Sequence, residues 1–140
     1  MVIVVDTNVF VSACLGTGAA SGVVAACLRG EHAPLMGAAL LAEYEDVLGR
    51  SALFRSCRLA EDERDELLDI FVAHCRWTRI YFGWRPNIPD EADNHLVELA
   101  VAGGAERIVT ANVHDLDGGE LQFPGLIAVT PAHFLKETRA

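Results

Sequence analysis

A chain of 140 residues, 51% of them hydrophobic, is long enough for one domain with a sizeable core, and none of its apolar runs reaches the roughly 18 residues that a membrane span needs. Twenty acidic against eleven basic side chains give a net charge of −9, which excludes a broad basic surface and confines any phosphate contact to a local patch. Asp6 interrupts the first apolar run too early for a signal peptide, so we expect a single domain over 1–140, cytoplasmic and without a membrane partner.

The run Val2 to Val5 is β-branched and unalternating, the pattern of a strand buried on both faces of a parallel sheet. It ends in Asp6-Thr7-Asn8, at the carboxyl end of the strand, where open α/β sheets collect ligands and chemistry. Val9 to Leu15 reads as a short helix ended by Gly16-Thr17-Gly18, and Ser21 as the cap of a second helix running to Leu28 and stopped by Gly30. Ala33 to Met36 is a second strand. Gly37 then leads into a helix from about Ala38 to Leu48, with an apolar stripe of Leu40, Leu41, Tyr44, Val47 and Leu48. Asp46 falls opposite that stripe, whereas Glu43 and Glu45 lie on its two edges, and periodicity does not choose between them.

A loop containing Ser51 to Cys57 precedes an amphipathic helix from the acidic start Glu61-Asp62-Glu63 to about His74. Trp77 to Phe82 reads as a strand. Beyond Pro86 and Pro89, Asp90 suits an N-cap for a helix reaching about Ala102 and closed by Gly103-Gly104. Arg107 to Val109 and Leu126 to Val129 are strands, and Thr130-Pro131 opens a terminal helix. Strands alternating with helices predict a three-layer α/β domain with a mostly parallel sheet of about five strands.

The helix after Pro89 has a buried stripe of Ala92, Leu96, Val97, Leu99, Ala100 and Gly103, and Asp93 falls within it while Glu98 points away. A carboxylate on the apolar face of a first turn is either part of a site or a variant capping box closed on Asp90. After the strand ending at Val109, Thr110-Ala111-Asn112 begins a polar turn that Asp115 joins; Asp117 reads as a turn former. Arg50, Arg55 and Arg58 form one basic group and Arg76, Arg79 and Arg85 another, each compatible with a groove lining or a solvated face. Cys14, Cys27, Cys57 and Cys75 show no paired spacing and read as reduced packing residues, and the five histidines lack zinc spacing.

Taken together, Val2-Ile-Val-Val-Asp6-Thr-Asn8, Leu40-Leu-Ala-Glu43-Tyr, Asp90-Glu-Ala-Asp93-Asn, Ile108-Val-Thr110-Ala-Asn112-Val-His-Asp115 and Thr130-Pro-Ala-His-Phe resemble the PIN-domain nucleases, particularly the toxin components of toxin–antitoxin pairs. The resemblance implies a three-layer α/β/α PIN-like fold and a site built on Asp6, Glu43 and Asp93, with Glu43 rather than Glu45 as the helical acid. Asn112 stands where many members carry a further aspartate. A T-x-N-x-x-D arrangement in some relatives puts Asp115 in that role, with Thr7, Asn8, Thr110 and Asn112 as supporting polar groups.

Carboxylates converging in one pocket need a cation to stay ionised, and hard oxygen ligands select Mg²⁺ or Mn²⁺. The resemblance therefore implies a metal-dependent endoribonuclease, a cognate antitoxin and a homodimer. Two other readings remain at this stage. One is a catalytically degenerate PIN-like module that binds RNA or protein. The other is a receiver-like phospho-aspartate module, for which the expected lysine is missing because the only lysine is Lys136.

Overall fold

The computed structural model describes residues 1–16, 18–80, 94–113 and 125–139. Its sheet runs along four-residue strands β1 (Val2–Val5) and β2 (Ala33–Met36), the short β3 (Arg76–Trp77), β4 (Arg107–Val109) and β5 (Ile127–Val129). All pairings are parallel and the strand order is β3-β2-β1-β4-β5. The chain thus builds outward from β1 to β3, then returns to the other side of β1. That reversal opens a crevice between the carboxyl ends of β1 and β4, the position where open α/β sheets bind ligands. The pleat of β1 has no solvent face to alternate toward, because helices cover both sides; Ile3, Val4 and Val5 are all buried, as the unbroken apolar run requires.

Helices α1 (Thr7–Cys14), α2 (Gly18–Leu28), α4 (Glu61–His74) and α6 (Pro131–Thr138) pack together in one layer, and α5 (Asn94–Gly103) lies over β1, β2 and β4. Helix α3 (Ala38–Leu48) touches both α1 and α5. The stripe predicted for α5 is buried at Leu96, Val97, Leu99 and Ala100, and Gly103 lets the helix close on β2: a Cβ there would lie 2.3 Å from Leu35 Cδ1. Gly104 follows at φ 70°, the left-handed conformation that ends helices. Of the predicted α3 stripe, Leu40, Tyr44 and Leu48 are buried. Among the described residues, no single helix is long and apolar enough to cross a membrane.

Several boundaries differ from expectation for identifiable reasons. Helix α1 starts at Thr7 rather than Val9, because Asp6 serves as its N-cap. Ser21 is not a cap: α2 begins at Gly18, and the Ser21 hydroxyl instead donates to the Ala13 carbonyl at 3.4 Å. The loop after α3 contains a 3₁₀ turn, Ser51–Phe54, that buries Phe54, and the Arg64 guanidinium of α4 sits 4.2 Å from the centre of that ring. The strand expected over Trp77 to Phe82 has only Arg76 and Trp77 in the ladder, since β2 ends at Met36, whose carbonyl takes a last bond from the Thr78 amide at 2.8 Å; Tyr81 and Phe82 lie outside the described residues. The last strand begins at Ile127 rather than Leu126, whereas α6 is capped by Thr130 as its sequence implies. All four cysteines are free.

Candidate functional site

Asp6 sits at the switch point between β1 and β4, 5% exposed, where its backbone N–H closes the sheet by donating to Val109 O at 2.9 Å. Its carboxylate is gripped from both strands. The Thr7 amide donates to Oδ1 at 2.7 Å; the Thr110 hydroxyl, fully buried at the end of β4, donates to Oδ2 at 2.7 Å, and Asn8 Nδ2 donates to the same oxygen at 3.2 Å. Asn8 Oδ1 accepts from the Ala111 amide at 3.2 Å, and Thr110 Oγ1 accepts from the Asn112 amide at 3.0 Å, so the two polar turns lock each other. With two donors already on Oδ2, Oδ1 retains the freer lone pair.

Glu43 reaches the same place from α3. Tyr44, its neighbour, fixes the helix: its hydroxyl donates to Val5 O at 2.6 Å, one residue before Asp6, and its ring packs 5.1 Å from Phe10 and 6.1 Å from Phe71. Glu43 Oε2 lies 2.8 Å from His95 Nε2, and because an ionised carboxylate only accepts, that nitrogen carries the hydrogen. Glu45 and Asp46 are exposed, and Asp46 pairs with Arg50 at 2.7 Å. The tie between Glu43 and Glu45 that periodicity leaves open is thus a difference between a crevice and solvent.

The two carboxylates are electrostatically opposed. Burial first, and then the charge of Glu43, raise Asp6 above the ordinary 3.8, against the hydrogen bonds from Thr110 and Thr7. The His95 hydrogen bond holds Glu43 below its ordinary 4.5. The Thr7 hydroxyl also favours ionised Glu43, yet Oγ1 is buried without a partner at full hydrogen-bond geometry. Two carboxylates, one of which raises the pKa of the other, with the Thr7 hydroxyl beside them, are a set of hard oxygen donors fitted to a hard cation. Among the described residues, no group of three or more His, Cys, Asp or Glu side chains is near enough to hold a metal alone. Asp93 and Asp115 lie outside the described residues, as does Asp90.

His95 is the site residue that sequence reasoning passes over, because histidine spacing is informative there only about zinc. It precedes the buried Leu99 by one helical turn on α5, and that i, i+4 relation already puts it on the edge of the buried stripe. Thr7 and Thr110 read in the sequence as polar punctuation around the acids; their burial is not apparent from either motif.

A five-stranded parallel sheet with an acidic crevice at its switch point defines a three-layer α/β/α domain with its chemistry at the strand ends. The PIN domain family profile matches residues 2–114, and the chain belongs to the PIN domain family. The fold is similar to that in the crystal structure of VapBC2 from Rickettsia felis bound to a DNA fragment from its promoter, with TM-score 0.61 and 16% identity over 93% of this chain and 98% of that one. No curated protein sequence matches the chain at a comparable level.

Proposed function

We propose that this protein is a Mg²⁺- or Mn²⁺-dependent endoribonuclease, the toxin of a toxin–antitoxin pair, acting in the cytoplasm. The observation that carries this reading is the convergence of Asp6 and Glu43 from sequence-distant elements on the switch-point crevice, where the charge of one makes ionisation of the other harder. Asp6 and Glu43 would hold the ion, joined by Asp93, which directly precedes α5 in the sequence, and by Asp115, which follows β4. A bound ion supplies a water of lowered pKa and stabilises charge on the departing oxygen. The chain's own groups do the rest: Thr110 and Asn8 fix the Asp6 carboxylate, His95 aims Glu43, and Tyr44 sets the height of α3 against β1. The strand order departs from the 2-1-3-4-5 of receiver domains, which disfavours the phospho-aspartate alternative. A solved structure of similar fold is a VapBC2 complex, which supports an antitoxin partner for this chain, and we extend the reading to a homodimer.

Purified protein incubated with mixed RNA tests the proposal. Cleavage is expected with Mg²⁺ or Mn²⁺, absent with EDTA, and absent in Asp6→Asn. Metal-independent cleavage, or full activity in Asp6→Asn, would contradict it; RNA binding without cleavage in any metal would favour the degenerate binding module.

A further inference from the structure

Beside the carboxylates lies a cavity of about 590 Å³ that the site described so far does not use. Its walls come from the first turn of α3, from the segment Trp77 to Ile80 after β3, and from His95 and Leu99 of α5. Its volume falls within the range of small-molecule sites. Trp77 is 52% exposed and Ile80 is also exposed, an aromatic plane and an aliphatic edge left uncovered at the rim. Gly37 lets the start of α3 pack closely between the other two walls: a Cβ there would meet Leu99 Cδ1 at 3.2 Å and the Thr78 carbonyl at 3.3 Å.

We propose that this cavity is a nucleotide subsite, in which a base of single-stranded RNA next to the cleaved bond stacks on Trp77. The proposal rests on the nuclease reading and adds to it where the flanking nucleotide goes. Three observations favour this occupant. His95 both lines the cavity and binds Glu43, so a chain lying in one is carried directly to the other. The mostly apolar wall with one exposed indole suits a base face, since stacking on an aromatic side chain accepts any base. Positive potential is supplied locally in a chain of net charge −9: Arg79 is on the wall, and α3 presents its N-terminal amides there with no side-chain cap at Gly37. The phosphate of a stacked nucleotide would therefore meet donors while its base meets Trp77.

The test uses full-length protein and a fluorescein-labelled single-stranded RNA of about ten nucleotides. Binding is read by anisotropy in EDTA on an Asp6→Asn background, which suppresses cleavage. Adding Trp77→Ala is expected to weaken binding about five- to a hundredfold, whereas Trp77→Phe keeps most of it. A single abasic nucleotide walked along the RNA should cost affinity at one position with Trp77 present and nothing further at that position in Trp77→Ala. If Trp77→Ala fails to fold, Trp77→Leu, which keeps apolar bulk without the ring, replaces it in both measurements. Equal affinities with and without the Trp77→Ala change, no position-specific abasic penalty, or no RNA binding at all would overturn the subsite. So would a Trp77→Ala protein that changes only its oligomeric mass, since the cavity would then belong to a contact between protein chains. The two readings fail separately, because cleavage is read on protein with Asp6 intact and Mg²⁺ or Mn²⁺ added: cleavage there with no effect of Trp77 on binding removes the subsite and leaves the nuclease, and no cleavage there with Trp77-dependent binding removes the nuclease and leaves a base-stacking site.

Discussion

The carboxyl edge of the sheet has two halves that solve opposite problems. Between β1 and β4 the edge is polar and closed: Asp6 is buried under donors from Thr7, Asn8 and Thr110, and the two turns hydrogen-bond to each other. At β2 and β3 the edge is apolar and open, ending in Gly37 and Trp77 around a cavity. The closed half holds charge in place at the expense of desolvation; the open half leaves apolar surface in water. A stable fold needs neither. That both occur side by side, with His95 touching each, is what one would expect if the first half performs chemistry on a molecule that the second half holds.

The largest expected effect breaks the closed half. Asp6→Asn should reduce cleavage by more than the roughly ten- to hundredfold loss typical of outer-shell changes around a metal. Because the folded pKa of Asp6 is raised, its ionisation destabilises the fold as pH climbs from the ordinary 3.8 through the folded value, and that loss persists at neutral pH. The variant should therefore gain on wild type as pH rises above the ordinary 3.8 in EDTA, measured by thermal melting; a variant that loses ground as pH rises contradicts the raised pKa of Asp6.

Packing under the open half comes next. Gly103→Ala must push on the fully buried Leu35, and overpacking of this kind costs about 1–3 kcal/mol by denaturant titration. Its metal affinity should be unchanged, which separates damage to the sheet from damage to the site. Tyr44→Phe should cost about 0.5–1.5 kcal/mol by the same titration through the lost bond to Val5 O, and it should lower activity as well, because α3 and Glu43 are no longer tied to β1. A stability loss with activity intact would show that Tyr44 does not position Glu43.

The smallest effect is a difference in sign between the two carboxylates. Glu43 has a lowered pKa, so its contribution is present above the ordinary 4.5 and is lost as pH falls through the folded value. Glu43 is partly exposed and the slope will be shallow. Glu43→Gln should flatten the acid limb of the stability curve, whereas Asp6→Asn changes the curve above about pH 4.

The closed half is largely legible in the sequence because each motif there carries its own local punctuation: an apolar strand, then Asp6-Thr7-Asn8, or Arg107 to Val109, then Thr110. Strand and helix positions follow from the same contrast. What periodicity lacks is the third dimension. It puts Glu43 and Glu45 on equal edges, and only the contact of α3 with α1 and α5 separates them. It reads Val9 as a helix start, whereas the Asp6 carboxylate caps α1 and the helix opens at Thr7. It misses His95 because its partner is 52 residues away. The open half is illegible for a related reason: Gly37, Trp77 and Leu99 belong to three elements, and a cavity has no sequence pattern.

Titration of Mn²⁺ by calorimetry into wild type, Asp6→Asn, Glu43→Gln and the exposed control Glu45→Gln addresses the central claim that the switch-point crevice is a metal site. Wild type and Glu45→Gln should bind alike, and Asp6→Asn and Glu43→Gln should each lose most of the affinity. Asp115→Asn, in the same series, should weaken binding about ten- to a hundredfold if that residue stands in for the acid absent at Asn112. Undiminished Mn²⁺ binding in Asp6→Asn, or equal losses in Glu43→Gln and Glu45→Gln, would contradict the account.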